Sequence, residues 1–394
     1  MPARARIGVE LIPVVAALCF ASTAFAKAPS PRPPNPPIEA VVREAAHALM
    51  REHGIPGLAI AITVDGKPHF FNYGVASRQT QRPVGSDTLF EIGSISKTFT
   101  ATLASYAQAT GRLALTDPPA RHLPPLEGSI FGNKTTLMHL GTHTAGGFPL
   151  QVPDAVQTTG QLFDYLRTWQ PQYAAGTRRT YANPSIGMLG LIAAKSLDMP
   201  FDEAMAQHVF RPLGLKHTTL DVPVARMASY AQGYTRADAP IRLRGGMLGA
   251  EAYGVRTSAR DLIRFVEANL RGPGTTPLQR AIEATHTGYF RTGAMTQDLV
   301  WEQYPYPVAL PVLLEGNGDK MAYETQDVTP IDPPQPPQPP QQAVWINKTG
   351  STNGFAAYVA FVPAKKIGIV VLANRNVPIA PRVRLAYEIL EKLE

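Results

Sequence analysis

Apolar positions run through the whole chain, and their period changes from element to element. Over residues 38–49, Ile38, Val41, Val42, Ala45 and Leu49 share one side of a 3.6-residue repeat with Gly54 beyond it, which predicts an amphipathic helix and its stop. Two apolar runs follow, 58–64 and 69–75, around Asp65-Gly66, the strongest short hairpin signal. The other end uses the same ingredients in reverse order. Residues 355–362 and 367–373 read as strands around Pro363-Ala364-Lys365-Lys366, and a helix is predicted over 382–393. Helical spacing recurs at 97–109 and 186–196, between loops rich in proline, glycine and threonine. The economical arrangement is an α+β fold: both ends build one antiparallel sheet flanked by helices, and the middle of the chain forms an inserted, mostly helical lobe. Residues 330–342 are dense in proline, which fixes φ and removes donors, so an extended polyproline-like loop is expected there rather than sheet or helix.

The first 26 residues change the picture of where this fold works. Arg4 and Arg6 precede a short apolar run and then Ala24-Phe25-Ala26, the pattern of a secretory signal peptide cut after Ala26. The run is interrupted by Glu10 and Pro13 and falls short of the ~20 residues a spanning helix needs. The mature protein, residues 27–394, is therefore expected to leave the membrane as a single domain of two lobes. The only cysteine, Cys19, departs with the signal, so the mature chain has no disulfide, no thiolate nucleophile and no cysteine-held metal. The net charge of +7 is spread without a basic block that could track phosphates, and export argues against nucleic acid as a partner.

Candidate chemistry begins at Ser94-Ile95-Ser96-Lys97, just after Gly93 at the predicted start of a helix. A three-residue step is about one helical turn, so the Lys97 amine can reach the Ser94 hydroxyl. A desolvated lysine among other cations has a lowered pKa and can take the hydroxyl proton, which a free serine cannot lose unaided. Two more patterns follow in order: Tyr181-Ala182-Asn183 and Lys348-Thr349-Gly350. An S-x-x-K with a K-T-G is a known signature of penicillin-recognising serine enzymes.

With these motifs in place, the chain resembles the class C, AmpC-type serine β-lactamases. Further segments extend the likeness: Thr142-His143-Thr144-Ala145-Gly146-Gly147, Glu251-Ala252-Tyr253-Gly254-Val255, and Asn353-Gly354-Phe355. The resemblance implies the β-lactamase/DD-peptidase-like fold and hydrolysis of a β-lactam through an acyl-enzyme on Ser94. It implies that Lys97 and Tyr181 share the proton work and that the backbone N–H groups of Ser94 and Ser351 form an oxyanion hole. Lys348 and Thr349, on the strand that carries Gly350 and leads to Asn353, would address the substrate carboxylate together with Arg382. Asn183 and Gln151 would hold the side-chain amide, Tyr253 would pack against the acyl group, and Glu302 would sit at the rim near Lys348. No cofactor is implied, and the family's habit is a periplasmic monomer that favours cephalosporins and confers resistance. The pattern departs at Gln232, Gly249 and Ile379, where relatives carry tryptophan, aspartate and, in some, asparagine.

Two other readings use the same residues. D-alanyl-D-alanine peptidases and some esterases share the S-x-x-K and Y-x-N pair, and a penicillin-binding sensor would acylate without turning over. His139 and His143 have the i, i+4 spacing of a zinc helix, but Leu140 stands where that motif needs glutamate, so packed or capping histidines are expected instead. No G-x-S-x-G elbow supports a Ser-His-Asp relay.

Overall fold

The structure, a computed structural model, describes residues 1–3, 8, 38–331 and 338–393. The expected signal peptide, its cleavage site and Cys19 lie outside the described residues. Chain contacts separate Met1–Asn35 from the body Pro36–Glu394, and the body is described here.

Helix α1, Ile38–His53, leads into strands β1, Gly57–Val64, and β2, Lys67–Gly74. The two strands pair antiparallel with Val64 opposite Lys67. Their two-residue loop has positive φ at Asp65 (50°) and Gly66 (74°), the geometry that matches strand twist and that Asp-Gly tolerates. The remaining strands of this sheet are β3 Gly288–Thr292, β4 Met295–Asp298, β5 Glu302–Pro305, β6 Thr329–Pro330, β7 Val344–Ser351, β8 Ala356–Val362 and β9 Ile367–Ala373. Their order is β6-β3-β4-β5-β7-β8-β9-β1-β2, and each pairing is antiparallel.

Both faces of the sheet centre are covered, so its strands read as continuous apolar runs. On β1, Leu58, Ile60 and Ile62 join a core with Val42 and Leu49 of α1 and with Val383, Ile389 and Leu390 of the terminal helix. Ala59 and Ala61 face the other core, which holds Phe99, Leu189, Leu262 and Phe265. The same alternation on β7 sends Trp345 to the first core and Val344 and Ile346 to the second. Lys348 and Gly350 continue the register of Ile346, toward the central helices.

Those helices are α2 Ser96–Ala109, α3 Asn183–Ser196 and α4 Ala259–Leu270; the terminal helix is α5, Ile379–Glu391. Every residue of α2 from Ser96 to Ser105 is buried, as expected of a helix surrounded by protein on all sides. Its small Ala, Ser and Thr side chains permit this: Thr98 and Thr102 return their hydroxyls to the carbonyls of Ile95 and Thr98 at 2.8 and 2.9 Å.

Three differences from the sequence expectation stand out. α5 begins at Ile379, three residues before the expected start at 382. Three strands, β3 to β5, come from the 288–305 region, which the apolar pattern did not mark. The proline-rich stretch is not wholly loop: Pro330 pairs with Phe290, and Gln338 bridges Gly288, so both are bound to an outer strand. The other end of the stretch runs into β7, with the Gln342 carbonyl accepting from the Ala364 N–H at 3.0 Å.

Candidate active site

Gly93–Ile95 form one 3₁₀ turn that runs directly into α2. Gly93 has φ +50°, and a Cβ built on it would lie 2.4 Å from the Ser351 carbonyl oxygen. A Cβ on Gly350 would lie 1.9 Å from the Ile92 carbonyl oxygen. The Ser94 turn and the end of β7 therefore meet backbone against backbone, a contact only glycine permits.

One turn on from Ser94, Lys97 is fully buried and donates to Ser94 Oγ at 3.0 Å, Asn183 Oδ1 at 2.6 Å and the Ala252 carbonyl at 2.9 Å. Burial lowers its pKa and the Lys348 charge lowers it further, against the opposing pull of Tyr181. Tyr181 precedes α3 and hydrogen-bonds to Ser94, with the Lys97 and Lys348 ammonium nitrogens 5.2 and 5.3 Å from its ring centre. Burial alone would raise the phenol's pKa, but Lys348, Lys97 and the Ser94 hydrogen bond outweigh it and hold it below the usual value. Serine hydroxyl, amine and phenol thus form one connected proton network.

Lys348 is held by Glu302 Oε1 at 3.2 Å, and the same oxygen takes Arg179 Nη2 at 3.3 Å. Glu302 is only 5% exposed and forms a buried bridge between two cations, which corrects its expected place at the rim. Arg179 escaped the sequence reading. It reaches Gln297 Oε1 at 2.7 Å and the Met321 carbonyl at 2.6 Å, and lies over the Tyr181 ring at 5.6 Å. The only signal for it was its position two residues before Tyr181.

These groups open into a cleft of about 480 Å³. Ser94, Gln151, Asn183, Tyr253, Glu302 and Lys348 line it, as do Thr349, Gly350, Ser351 and Asn353 at the end of β7, so the structure brings these sequence candidates together. Arg382 is the exception. It lies behind β7, buried, donating to the Gly350 and Ala357 carbonyls and to Ser351 Oγ at 2.5, 3.1 and 2.6 Å, with its pKa lowered to about 9 by burial and by the Arg236 charge. Its expected direct contact with a substrate carboxylate is corrected to support of the strand. Leu243, Thr352 and Asn376 also line the cleft and were not among the sequence candidates, and Ile379, noted as a departure from the family pattern, lines it too. Buried Glu91 joins two of them, accepting from the Leu243 N–H at 2.7 Å and from Thr352 Oγ1 at 2.6 Å.

The histidines behave as packing and capping groups. His139 completes a capping box with Thr136. His143 is buried 4.4 Å from the Tyr181 ring, accepts from the Ala182 N–H at 3.2 Å, and is held neutral by burial and by Arg179, Lys97 and Lys348. Among the described residues no cluster of His, Cys, Asp or Glu could hold a metal ion, and no helix is long and apolar enough to cross a membrane.

Comparison with known proteins gives a consistent picture. The Beta-lactamase family profile matches residues 42–394. A β-lactamase of Lysobacter lactamgenus is 53% identical over 375 residues, covering 95% of this chain and 96% of the relative. One from Pseudomonas fluorescens is 49% identical over 91% of this chain and 99% of its own length. Among solved structures, a β-lactamase/D-alanine carboxypeptidase from Pseudomonas syringae superposes with TM-score 0.88 at 57% identity, covering 91% of this chain and 99% of that one. A class C β-lactamase in complex with cefoxitin superposes with TM-score 0.86 at 49% identity, covering 90% and 98%.

Proposed function

This chain belongs to the beta-lactamase family, as a serine hydrolase of class C type, and from that premise we propose that it is an exported cephalosporinase whose acyl-enzyme forms on Ser94. In this reading residues 1–26 direct export and residues 27–394 act in the periplasm as a monomer of two lobes, conferring β-lactam resistance. The observation that carries the chemistry is the 3.0 Å contact from Lys97 Nζ to Ser94 Oγ, closed into a network by Tyr181.

Ser94 Oγ attacks the lactam carbonyl while its proton passes to the Tyr181–Lys97 pair. The carbonyl oxygen becomes an oxyanion facing the Ser94 and Ser351 N–H groups; loss of one such donor typically costs about 2.7–4 kcal/mol of barrier. Collapse breaks the C–N bond, and the stored proton goes to the leaving nitrogen. Water then attacks the ester, gives its proton to the same pair, and the ester C–O bond breaks to restore Ser94. Lys348 and Thr349 receive the substrate carboxylate, Asn183 and Gln151 the side-chain amide, and Tyr253 the acyl group. Arg382 acts through Gly350 and Ser351, and Glu302 through Lys348.

A second reading has its own support. Two similar structures carry the name D-alanine carboxypeptidase, the one from Pseudomonas syringae and one from Burkholderia cenocepacia at 55% identity. One experiment separates the possibilities. Purified residues 27–394 are given a chromogenic cephalosporin or a peptide ending in D-alanyl-D-alanine, and adducts are weighed by mass spectrometry. Many turnovers of the cephalosporin with little D-alanine released are expected, and Ser94→Ala should show neither adduct nor turnover. Acylation that stops after one equivalent, or an adduct on the alanine variant, would overturn the proposal.

A further inference from the structure

The cleft's own charges are nearly closed off from a ligand's side chain. Its charged lining consists of Arg179, Glu302 and Lys348, and Glu302 is bonded to both cations. Among the described residues no free carboxylate lines the wall formed by Leu243 and Tyr253. Just past that wall stands a cation of the opposite kind. Arg244 is exposed and has no hydrogen-bonding, ionic or ring partner among the described residues.

Its neighbours fix where it stands. Leu243 lines the cleft and is pinned on both sides, its N–H given to Glu91 at 2.7 Å and its carbonyl taken by Arg256 at 3.4 Å. Two residues beyond Arg244, a Cβ on Gly246 would lie 3.2 Å from the hydroxyl of Tyr253, itself a lining residue. The backbone at 244 thus lies between two residues that adjoin the cleft wall. An arginine without a counter-ion has its planar fork of donors free for an incoming acceptor.

We propose that Arg244 is a specificity-determining residue that favours β-lactams whose acyl side chain carries a second negative charge, a carboxylate or sulfonate beyond the ring carboxylate. The inference rests on the hydrolase reading above, with the acyl side chain against Tyr253 and the ring carboxylate toward Lys348. A dianionic substrate then meets a cation at each end of the cleft. A neutral side chain meets only one.

Carbenicillin and benzylpenicillin differ by one carboxylate on the acyl side chain, so their kcat/KM ratio isolates the effect. Arg244→Ala should lower kcat/KM for carbenicillin roughly two- to fivefold, the range of an exposed ion pair, mainly through KM, and leave benzylpenicillin unchanged. Raising ionic strength from about 0.05 to about 0.5 M should shrink the wild-type preference toward that of the variant. Arg51→Ala removes the same charge from an exposed position on α1 and should leave the ratio alone. An unchanged ratio in Arg244→Ala, or an equal fall for both penicillins, overturns the assignment. Wild-type protein that turns over neither the chromogenic cephalosporin nor either penicillin overturns the hydrolase reading beneath it, whereas cephalosporin turnover without hydrolysis of carbenicillin overturns the Arg244 assignment alone.

Discussion

Tyr181 carries two opposing influences, and the balance between them decides its use. Burial raises its pKa, while Lys348 and Lys97 lower it by a larger amount together with the Ser94 hydrogen bond. Tyr181→Phe keeps the ring against His143 and the packing around Ser94 but removes the proton acceptor. Turnover should fall by about 10² to 10⁴, the usual share of general acid–base catalysis, with the folded state intact by circular dichroism; a variant as fast as wild type would move the base elsewhere. The catalytic candidates were legible because each belongs to a short motif whose spacing has a mechanical meaning: the i, i+3 step from Ser94 to Lys97 survives as a 3.0 Å contact. Arg179 and Glu91 were not legible, since a buried ion's partners are distant in sequence. Arg179 meets Gln297 and Glu302 more than a hundred residues away, and nothing local announces such a pairing. Arg382 failed for a related reason: a sequence position says that a cation is near β7 but not on which side of the strand it is buried.

At the level of elements, the same contrast follows polarity. β1, β8 and β9 are buried on both faces and apolar almost throughout, Thr63 of β1 being the polar exception, so their sequences declare them. β4 is also buried at all four positions, yet its residues are Met295, Thr296, Gln297 and Asp298. β5 begins with Glu302 and Gln303, both buried. Buried polar side chains, of which Gln297 and Glu302 bond to Arg179 and Glu302 also to Lys348, erase the apolar signal that would reveal the strand. Where element meets element, the site depends on an absence of side chain: the Ile92 carbonyl lies where a Cβ on Gly350 would go. Gly350→Ala should push β7 away from the Ser94 turn and take the Ser351 N–H out of line with the reacting carbonyl. Because both partners at the clash are backbone, relief requires movement of one element. We expect kcat to fall by 10² to 10³, the typical effect of losing one oxyanion donor, while the far sheet core keeps the protein folded. Full activity in this variant would show that the strand can yield without losing alignment.

Across the whole molecule, carboxyl groups sit in environments that push their pKa values in opposite directions, and stability should therefore vary with pH in opposing ways. Asp117 is held below its ordinary pKa: burial raises it, but the Ala114 N–H, His122 and Arg121 outweigh that. It contributes stability that is lost as pH falls through its folded pKa. Glu251 does the reverse. It packs against Gly190 of α3 in the helix Gly249–Tyr253, and burial raises its pKa from 4.5 to about 7. Between those values the native state keeps a proton that the unfolded chain releases, so stability falls as pH rises through this window, and above it the full cost of the buried charge remains. Glu251→Gln stays neutral at every pH. The difference in unfolding free energy between variant and wild type should thus grow from pH 4.5 to about pH 7 and then level off, in favour of the variant, by on the order of 1–3 kcal/mol. Taking the difference removes Asp117 and the other carboxyls common to both proteins. Denaturant unfolding at several pH values measures it directly, and a difference that stays flat across this range would mean that Glu251 is as easily ionised in the folded protein as in the unfolded chain.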